Sequence, residues 1–551
     1  MTRDDPCLHG FFDCPDGSLA ATLSGPTDLL AAADDAGLQL NAHCGGAGLC
    51  RGCAVVLELG EFIVNGKPVQ ADADRPVSAL GCQTRILAGP WRVRVPEASL
   101  LRTGGQIVAE FDLARPPVPP AGQAGLGLAV DIGTTTVAAV LVDLATGKII
   151  ESASCYNQQV RRCADVASRI VHAGRDGGLA DLQRLVIDES VNRLITLLCR
   201  RTGDHHRDIA RISVAGNTVM THLLLGLDPT GMGAIPFTPV EIAPADRRAG
   251  DLRVLARPDA PVRCAPSVAA YVGGDIVADL YAARIDAGGP TLLIDIGTNG
   301  EIVLWTGREM LACATAAGPA FEGAGIRCGM RAAPGAIERL RIADNGWEPH
   351  YEVIGRSAPV GLCGSALMDF LAEGRAAGLI GAHGRFEDDA DDHPRLRRTD
   401  EGKQYVLVPA DQTADRLRDV VVGERDVAAI CQAKAAIYAG ITILLNRAGL
   451  TPGQLEKVVL AGGFARHIRI ASAVGMGLLP ALPPERFVAA GNGSLAGAYA
   501  ALVDPSVRDE MAAIARRPTV VELNLDPSFE MEYPLAMFIP HAEPERFAVA
   551  G

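Results

Sequence analysis

Four cysteines constrain this chain more than any other feature. Cys44, Cys50 and Cys53 stand as C-x5-C-x2-C, and Cys82 follows after 28 intervening residues. Three thiolates in a short loop, with a fourth returning from a distance, suit one [2Fe-2S] cluster. The spacing departs by one residue from the plant-type C-x4-C-x2-C and has the adrenodoxin-like form instead. Gly45, Gly46, Gly48 and Gly52 stand among the loop cysteines, so backbone amides can close around inorganic sulfide. The rival is a four-cysteine zinc site, but zinc ribbons pair two C-x2-C knuckles and this segment carries one.

The surrounding pattern predicts where this loop sits. Residues 8–12 and 18–23 read as strands joined at Pro15-Asp16-Gly17. Thr27 offers an N-cap to a helix bearing Leu29, Leu30, Ala33 and Ala36, and Gly37 stops it. Residues 54–59 form a further strand before Cys82 comes back. Strand, strand, helix, cysteine loop is the order of a β-grasp ferredoxin, predicted here over residues 1–98. Residues 99–125, with Arg115-Pro-Pro-Val-Pro-Pro120, cannot hold a ladder or a helix and read as a linker. It is either a plain spacer or a stiff polyproline arm on which the cluster domain swings.

The 551 residues exceed one core and point to three to five folding units. With 48% apolar, 21% charged and 4% aromatic residues, the chain is globular rather than disordered. A net charge of -14 argues against nucleic acid as the partner, because that binding needs clustered Lys and Arg. No apolar run approaches a membrane span and the start lacks a signal-peptide plan, so a cytoplasmic protein with no membrane partner is expected. Fourteen cysteines in such a chain read as reduced thiols plus a metal site. Cys155, Cys163, Cys199, Cys264, Cys313, Cys328, Cys363 and Cys431 are expected as small buried hydrophobes.

Asp131-Ile-Gly-Thr-Thr-Thr136 lies between two apolar strands, and Asp295-Ile-Gly-Thr-Asn-Gly300 repeats it 164 residues later. Free amides and hydroxyls of such turns can hold phosphate oxygens, while the acid beside them reaches Mg²⁺ or its waters. One copy is weak evidence, since acid and glycine turns are common. A third element strengthens the pair: a buried strand, Lys457-Val-Val-Leu-Ala461, runs straight into Gly462-Gly463-Phe464, where backbone can approach a nucleoside. Gly491-Asn-Gly493 then opens a helix.

These motifs, in this order, resemble the two-lobed ATPases of the acetate and sugar kinase, heat-shock chaperone and actin superfamily (ASKHA). The fold class expected is therefore a multidomain α+β and α/β chain: a ferredoxin domain, a linker, a first actin-like lobe over 126–290 and a C-terminal ATPase lobe over 291–551. The resemblance assigns Asp131 and Asp295 to Mg²⁺. It assigns Gly133, Thr134, Thr135, Thr136, Gly297, Thr298, Asn299 and Gly300 to phosphate, and Gly462, Gly463, Phe464, Gly491 and Gly493 to the nucleotide. Residues 265–280 look like the first helix connecting the lobes. A helix over about 426–447 has a core face interrupted by Lys434, read either as a ribose or base contact or as a snorkelling side chain.

A ferredoxin domain joined to this ATPase fold resembles the reductive activators of corrinoid enzymes over nearly the whole chain. The segment Val214-Ala-Gly-Asn217 through Pro229 and the segment Cys313 through Gly335, which contains Glu322, look like that family's own. The resemblance implies ATP-dependent one-electron reduction of a corrinoid protein, Co(II) to Co(I), with cofactors [2Fe-2S], ATP and Mg²⁺. It implies as partners a cobalamin-binding protein of a methyltransferase system and a donor such as a reductase or ferredoxin, with a homodimer the family-based expectation. Asn217 is read as ordering the attacking water or as stabilising its turn, and Glu322 as facing phosphate or partner. Three rivals stand beside this reading: a ferredoxin-fused metabolite kinase, a dehydratase activator, and a redox-sensing scaffold in which nucleotide only sets conformation.

Overall fold

The computed structural model describes residues 8–15, 17–38, 40, 48, 52–96, 99–100, 110–343, 346–387, 393–414, 416, 418–463 and 465–547. Cys44, Cys50 and Phe464 lie outside these residues.

In the N-terminal sheet the strands run in the order Gly17–Leu23, Leu8–Cys14, Thr84–Arg94, Ala54–Val64, Lys67–Ala71. Leu8–Cys14 lies parallel to Thr84–Arg94 and antiparallel to Gly17–Leu23. Leu8, Gly10 and Phe12 alternate inward, and Phe12 meets the Trp91 ring edge-on at 4.9 Å between centroids. Helix Leu29–Asp35 covers the sheet with Leu29, Ala32 and Ala33, the i, i+3, i+4 stripe of one face. Its N-cap is Asp28 rather than the expected Thr27. Thr27 is drawn into a two-residue strand against Thr84–Arg94, and its hydroxyl donates to the Gly25 carbonyl at 2.8 Å.

The rest of the chain holds two six-stranded sheets with the same plan. In the first, strand Leu126–Ile132 pairs antiparallel with Thr136–Asp143, which pairs with Ile149–Tyr156, while Ile209–Gly216 lies parallel on the other side. In the second, Thr291–Ile296 pairs antiparallel with Gly300–Trp305, which pairs with Met310–Thr315, while Lys457–Ala461 lies parallel on the other side. Both phosphate turns therefore join the central hairpin of a sheet. The near-continuous burial of Thr136–Asp143 and Thr291–Ile296 follows from cover on both faces.

Two helices run between the sheets. Gly274–Ala283 starts later than the expected 265–280, after the Gly273-Gly274 pair, and packs on Gly493–Val503. The second of these, although late in the chain, buries Leu495, Ala498 and Leu502 against Ala129, Ala138 and Val140 of the first lobe. The expected division at 290 thus describes the sequence but not the packing, since residues beyond 490 complete the first lobe. Helix Glu424–Ala448 is apolar and long enough to cross a membrane, yet it lies mostly buried in the second lobe's core.

The inner half of the linker is not a free arm. The Glu110 carbonyl accepts from the Asn492 amide at 3.1 Å, Ala114 N–H donates to the Ala282 carbonyl at 3.0 Å, and Asp112 pairs with Arg466 at 2.7 Å.

A Cβ at Gly497 would lie 2.5 Å from that of Ala278, so the two connecting helices cross at a point that admits no side chain. Gly497→Leu is expected to cost about 1–3 kcal/mol through overpacking, read as a lower Tm in thermal melts of the whole chain.

Candidate functional site

The two hairpins meet tip to tip. Thr135 Oγ1 and Thr298 Oγ1 lie 2.7 Å apart across the lobes, and both residues are buried. Each turn is closed by backbone: Gly133 N–H donates to the Thr136 carbonyl at 2.8 Å and Gly297 N–H to the Asn299 carbonyl at 3.0 Å. Between and beneath them opens a cleft of about 790 Å³. Gly133, Thr134, Thr135, Thr136, Gly297, Thr298, Asn299, Gly462, Gly463 and Gly493 line it together with Asp131, Asp295, Asn217 and Glu322. Gly300 and Gly491 are not among the lining residues: Gly300 opens the strand after the second turn, and Gly491 ends strand Phe487–Gly491 just ahead of helix Gly493–Val503.

Acid side chains dominate the floor. Asp131 and Asp295 end the central strands of the two sheets. Asp275 and Asp279, one helical turn apart on Gly274–Ala283, face them, and Glu301 stands opposite Asp295 in the second hairpin. These last three were not singled out from sequence. Their signal was two acids spaced i, i+4 in an otherwise apolar helix, and an acid breaking the apolar strand 300–305.

Asp131 accepts from Asn492 Nδ2 at 2.9 Å and Ser494 Oγ at 2.7 Å. Burial raises its pKa and these two donors oppose the rise. Asn492 also caps helix Gly493–Val503, whose N-terminus therefore points toward this carboxylate. A Cβ at Gly493 would come within 2.1 Å of Asp279 Oδ1, so glycine there is what lets the helix approach the acids. The other acids are less provided for. Among the described residues no donor reaches either oxygen of Asp279, whose carboxyl lies within hydrogen-bond reach of Asp295. Burial, then Asp131, pushes Asp295 up to about 7, and burial, then Asp295, pushes Asp275 up to about 8. Burial, reinforced by neighbouring carboxylates, drives Asp279 and Glu301 well above the ordinary range.

This donor set fits a hard divalent cation with oxygen ligands. Among the described residues no three His, Cys, Asp or Glu groups converge on one point. That suits Mg²⁺, which takes one or two carboxylates and completes its shell with waters and phosphate.

Asn217 caps helix Thr218–Leu225 through Oδ1 to the Met220 amide at 2.9 Å, and its Nδ2 donates to Thr134 Oγ1 at 3.1 Å. These two bonds tie the first phosphate loop to the start of that helix. Glu322 accepts from Thr298 Oγ1 at 2.9 Å through Oε1, while its buried Oε2 has no hydrogen-bond donor among the described residues and lies 3.8 Å from Arg331 Nη2.

Lys434 is not among the described residues that line the cleft. Its Nζ donates to the carbonyls of Ala536, Phe538 and Pro540, so the side chain ties down the C-terminal segment. Burial pulls its pKa down to about 7, while three carbonyl acceptors match the three protons of the charged form.

At the N-terminal site, Cys53 is buried and its Sγ accepts from the Cys82 amide at 3.4 Å, so two of the four expected ligand positions adjoin. An amide directed at sulfur is the environment a thiolate ligand needs. The other two positions lie outside the described residues.

Lys434→Met leaves three carbonyls without a donor and is expected to cost at least about 2 kcal/mol, seen in denaturant melts, with nucleotide affinity unchanged. The raised carboxylates set a pH dependence. A group whose folded pKa exceeds its unfolded value contributes stability at low pH that is lost as pH rises through the folded pKa. Without Mg²⁺ and nucleotide, Tm should therefore fall as pH climbs from the carboxylate range through about 7 for Asp295 and about 8 for Asp275. Mg²⁺ with ATP should flatten that slope, and a melt series over pH with and without both measures it.

Three family models match consecutive stretches: the 2Fe-2S iron-sulfur cluster binding domain at residues 15–87, the RACo middle region at 126–288, and the C-terminal, ASKHA domain of RACo at 289–550. The chain is 35% identical over 415 residues to the corrinoid activation enzyme RamQ of Eubacterium limosum, covering 74% of this chain and 69% of that one. It is 24% identical over 429 residues to the [Co(II) methylated amine-specific corrinoid protein] reductase of Methanosarcina barkeri, covering 72% and 73%. A solved structure described as a reductive activator for corrinoid, iron-sulfur protein superposes with a TM-score of 0.73 at 32% identity, covering 98% of this chain and 100% of the other. With an iron-sulfur domain in front and an acid-floored cleft between two matched sheets behind, the chain belongs to the family of reductive activators of corrinoid proteins.

Proposed function

We propose that this chain cleaves ATP in the interlobe cleft to drive the one-electron reduction of a corrinoid protein from Co(II) to Co(I), the electron entering through the N-terminal domain. The observation that carries the reading is physical contact between the two functional parts. Asp34 of the ferredoxin domain ion-pairs with Arg161 of the first lobe, which also holds Glu189. Leu100 lines the nucleotide cleft and bridges to Leu40, a few residues ahead of the cysteine loop. Nucleotide occupancy and the seating of the cluster domain thus involve the same surface.

Cys44, Cys50, Cys53 and Cys82 would hold the [2Fe-2S] cluster, which when bound supplies one-electron transfer. Asp131 and Asp295, with Asp275, Asp279 and Glu301 behind them, are the carboxylates for Mg²⁺ or its waters. The amides and hydroxyls of turns 133–136 and 297–300 hold phosphate oxygens, and Gly462 and Gly463 admit the nucleoside. Glu322, with one oxygen unmet, faces the phosphates. The RamQ and Methanosarcina relatives are named for action on corrinoid proteins. The same partner class, in a methyltransferase system, is proposed here, with a reductase or ferredoxin as donor and a homodimer as the assembly.

The need for ATP follows from potentials. A plant-type [2Fe-2S] centre sits at roughly -400 mV, above the potential that protein-bound Co(II) requires. A shortfall of about 120 mV leaves a one-electron transfer about a hundredfold uphill. Switching the lobes between two grips on the corrinoid protein offsets this, because each nucleotide state favours the grip it binds better. A metabolite kinase would use the same cleft but has no role for the front domain.

Asp295→Ala should reduce ATP turnover below detection and leave the visible spectrum of the iron-sulfur centre intact. Loss of both together would assign Asp295 to folding. Restoration of Co(I) at equal rates with and without nucleotide would remove the coupling from this reading.

A further inference from the structure

Charge in the cleft is one-sided. Six aspartates and glutamates line it, against a single lysine or arginine among the described lining residues, Arg331. A triphosphate entering such a site needs more than one divalent cation's worth of positive charge as the terminal bond breaks.

Arg331 lies in the second lobe, in the loop between Glu322 and strand Ala336–Ile342. Its guanidinium carbon stands 3.8 Å from the centre of the Tyr156 ring, which ends a strand of the first lobe. The cation thus spans the two lobes. Its Nη2 is buried without a hydrogen-bond partner, and the nearest carboxylate oxygen, Glu322 Oε2, is 3.8 Å away and equally unmet. A structural arginine in this protein looks different. Arg169, wholly buried, donates to Thr134 O at 2.6 Å, Gln159 Oε1 at 2.9 Å and Cys163 O at 3.3 Å.

We propose that Arg331 is a further catalytic residue, the cation that meets the terminal phosphate of ATP during cleavage. The assignment rests on the ATP-cleaving function proposed above. In that reaction water supplies the incoming oxygen, the bond from the γ-phosphorus to the β,γ-bridging oxygen breaks, ADP and phosphate are released, and one proton passes to solution. Negative charge shifts toward the bridging oxygen, where a forked guanidinium can give two N–H donors at once. The Tyr156 ring holds the cation in line from the opposite lobe, so the group is in position only when the lobes are together. Closure and cleavage are joined in one side chain.

Arg331→Met and Arg331→Lys in the full chain test this, with three readouts beside wild type: ATP turnover, affinity for ADP, and affinity for ADP with aluminium fluoride. Arg331→Met should lower turnover by at least about a hundredfold and weaken the aluminium fluoride complex similarly, with ADP affinity within about threefold of wild type. Arg331→Lys should recover part of both losses, and its melting temperature and iron-sulfur spectrum should match wild type. Turnover in Arg331→Met within about threefold of wild type would overturn the assignment and leave the ATPase reading standing. Equal weakening of ADP with and without aluminium fluoride would likewise overturn it, marking Arg331 as a counter-ion of Glu322. A wild-type protein that cleaves no ATP would overturn the ATPase reading, and the role of Arg331 with it.

Discussion

Crowded, buried carboxylates with few donors are the constraint around which the ATPase half is arranged. Asp131 has two side-chain donors and a helix end to hold its charge, whereas Asp275 accepts from the Ile276 amide and Glu301 from Asn299. Asp275, Asp279, Asp295 and Glu301 crowd within reach of one another, and burial drives all four toward the protonated form. A core that wanted only stability would replace them with apolar side chains of similar volume, since buried charge is costly unless paired. Their presence makes sense as a site that is completed by a cation.

The repeated sheet plan places both phosphate turns alike. Each turn lies at the tip of a central hairpin with a parallel strand beside it, so the backbone behind it is fixed by ladders on both sides. The tips touch through Thr135 and Thr298, whose hydroxyls bond each other at 2.7 Å. The Thr298 hydroxyl also donates to Glu322 Oε1 at 2.9 Å, so Thr135 is the donor within that pair. The Gly497–Ala278 crossing is the close packing point between the connecting helices.

The parts legible in the sequence were those where a local pattern answers to a local physical need. Cysteine spacing, the Asp-Ile-Gly-Thr turns and the glycine pair after an apolar strand each declare their chemistry within ten residues, and the ferredoxin and ATPase halves follow from them. What stayed hidden depends on tertiary pairing. Helix Gly493–Val503 belongs by packing to a lobe that begins more than 350 residues earlier. Lys434 has the look of a ligand contact in one dimension, because nothing local says that the carbonyls of Ala536, Phe538 and Pro540 arrive over it. Asp275 and Asp279 were visible as letters, but their burial beside Asp295 was not. Thr27 lost its capping role to a strand partner 59 residues away, Ile86.

Coupling between the two halves has a structural basis at both ends of the linker. At the outer end Leu100 lies in the wall of the nucleotide cleft. At the inner end Phe111 bridges to Gly491, and the Glu110 carbonyl takes the amide proton of Asn492, the residue whose side chain holds Asp131. Asn492 therefore joins, through three consecutive bonds, the linker backbone, the helix cap and a carboxylate of the cleft floor. An unbroken chain of hydrogen bonds thus runs from the cleft floor to the linker backbone. Differential contact of this kind is the requirement for nucleotide to shift the seating of the cluster domain, since a ligand moves an equilibrium only by the difference in its interactions with the two states.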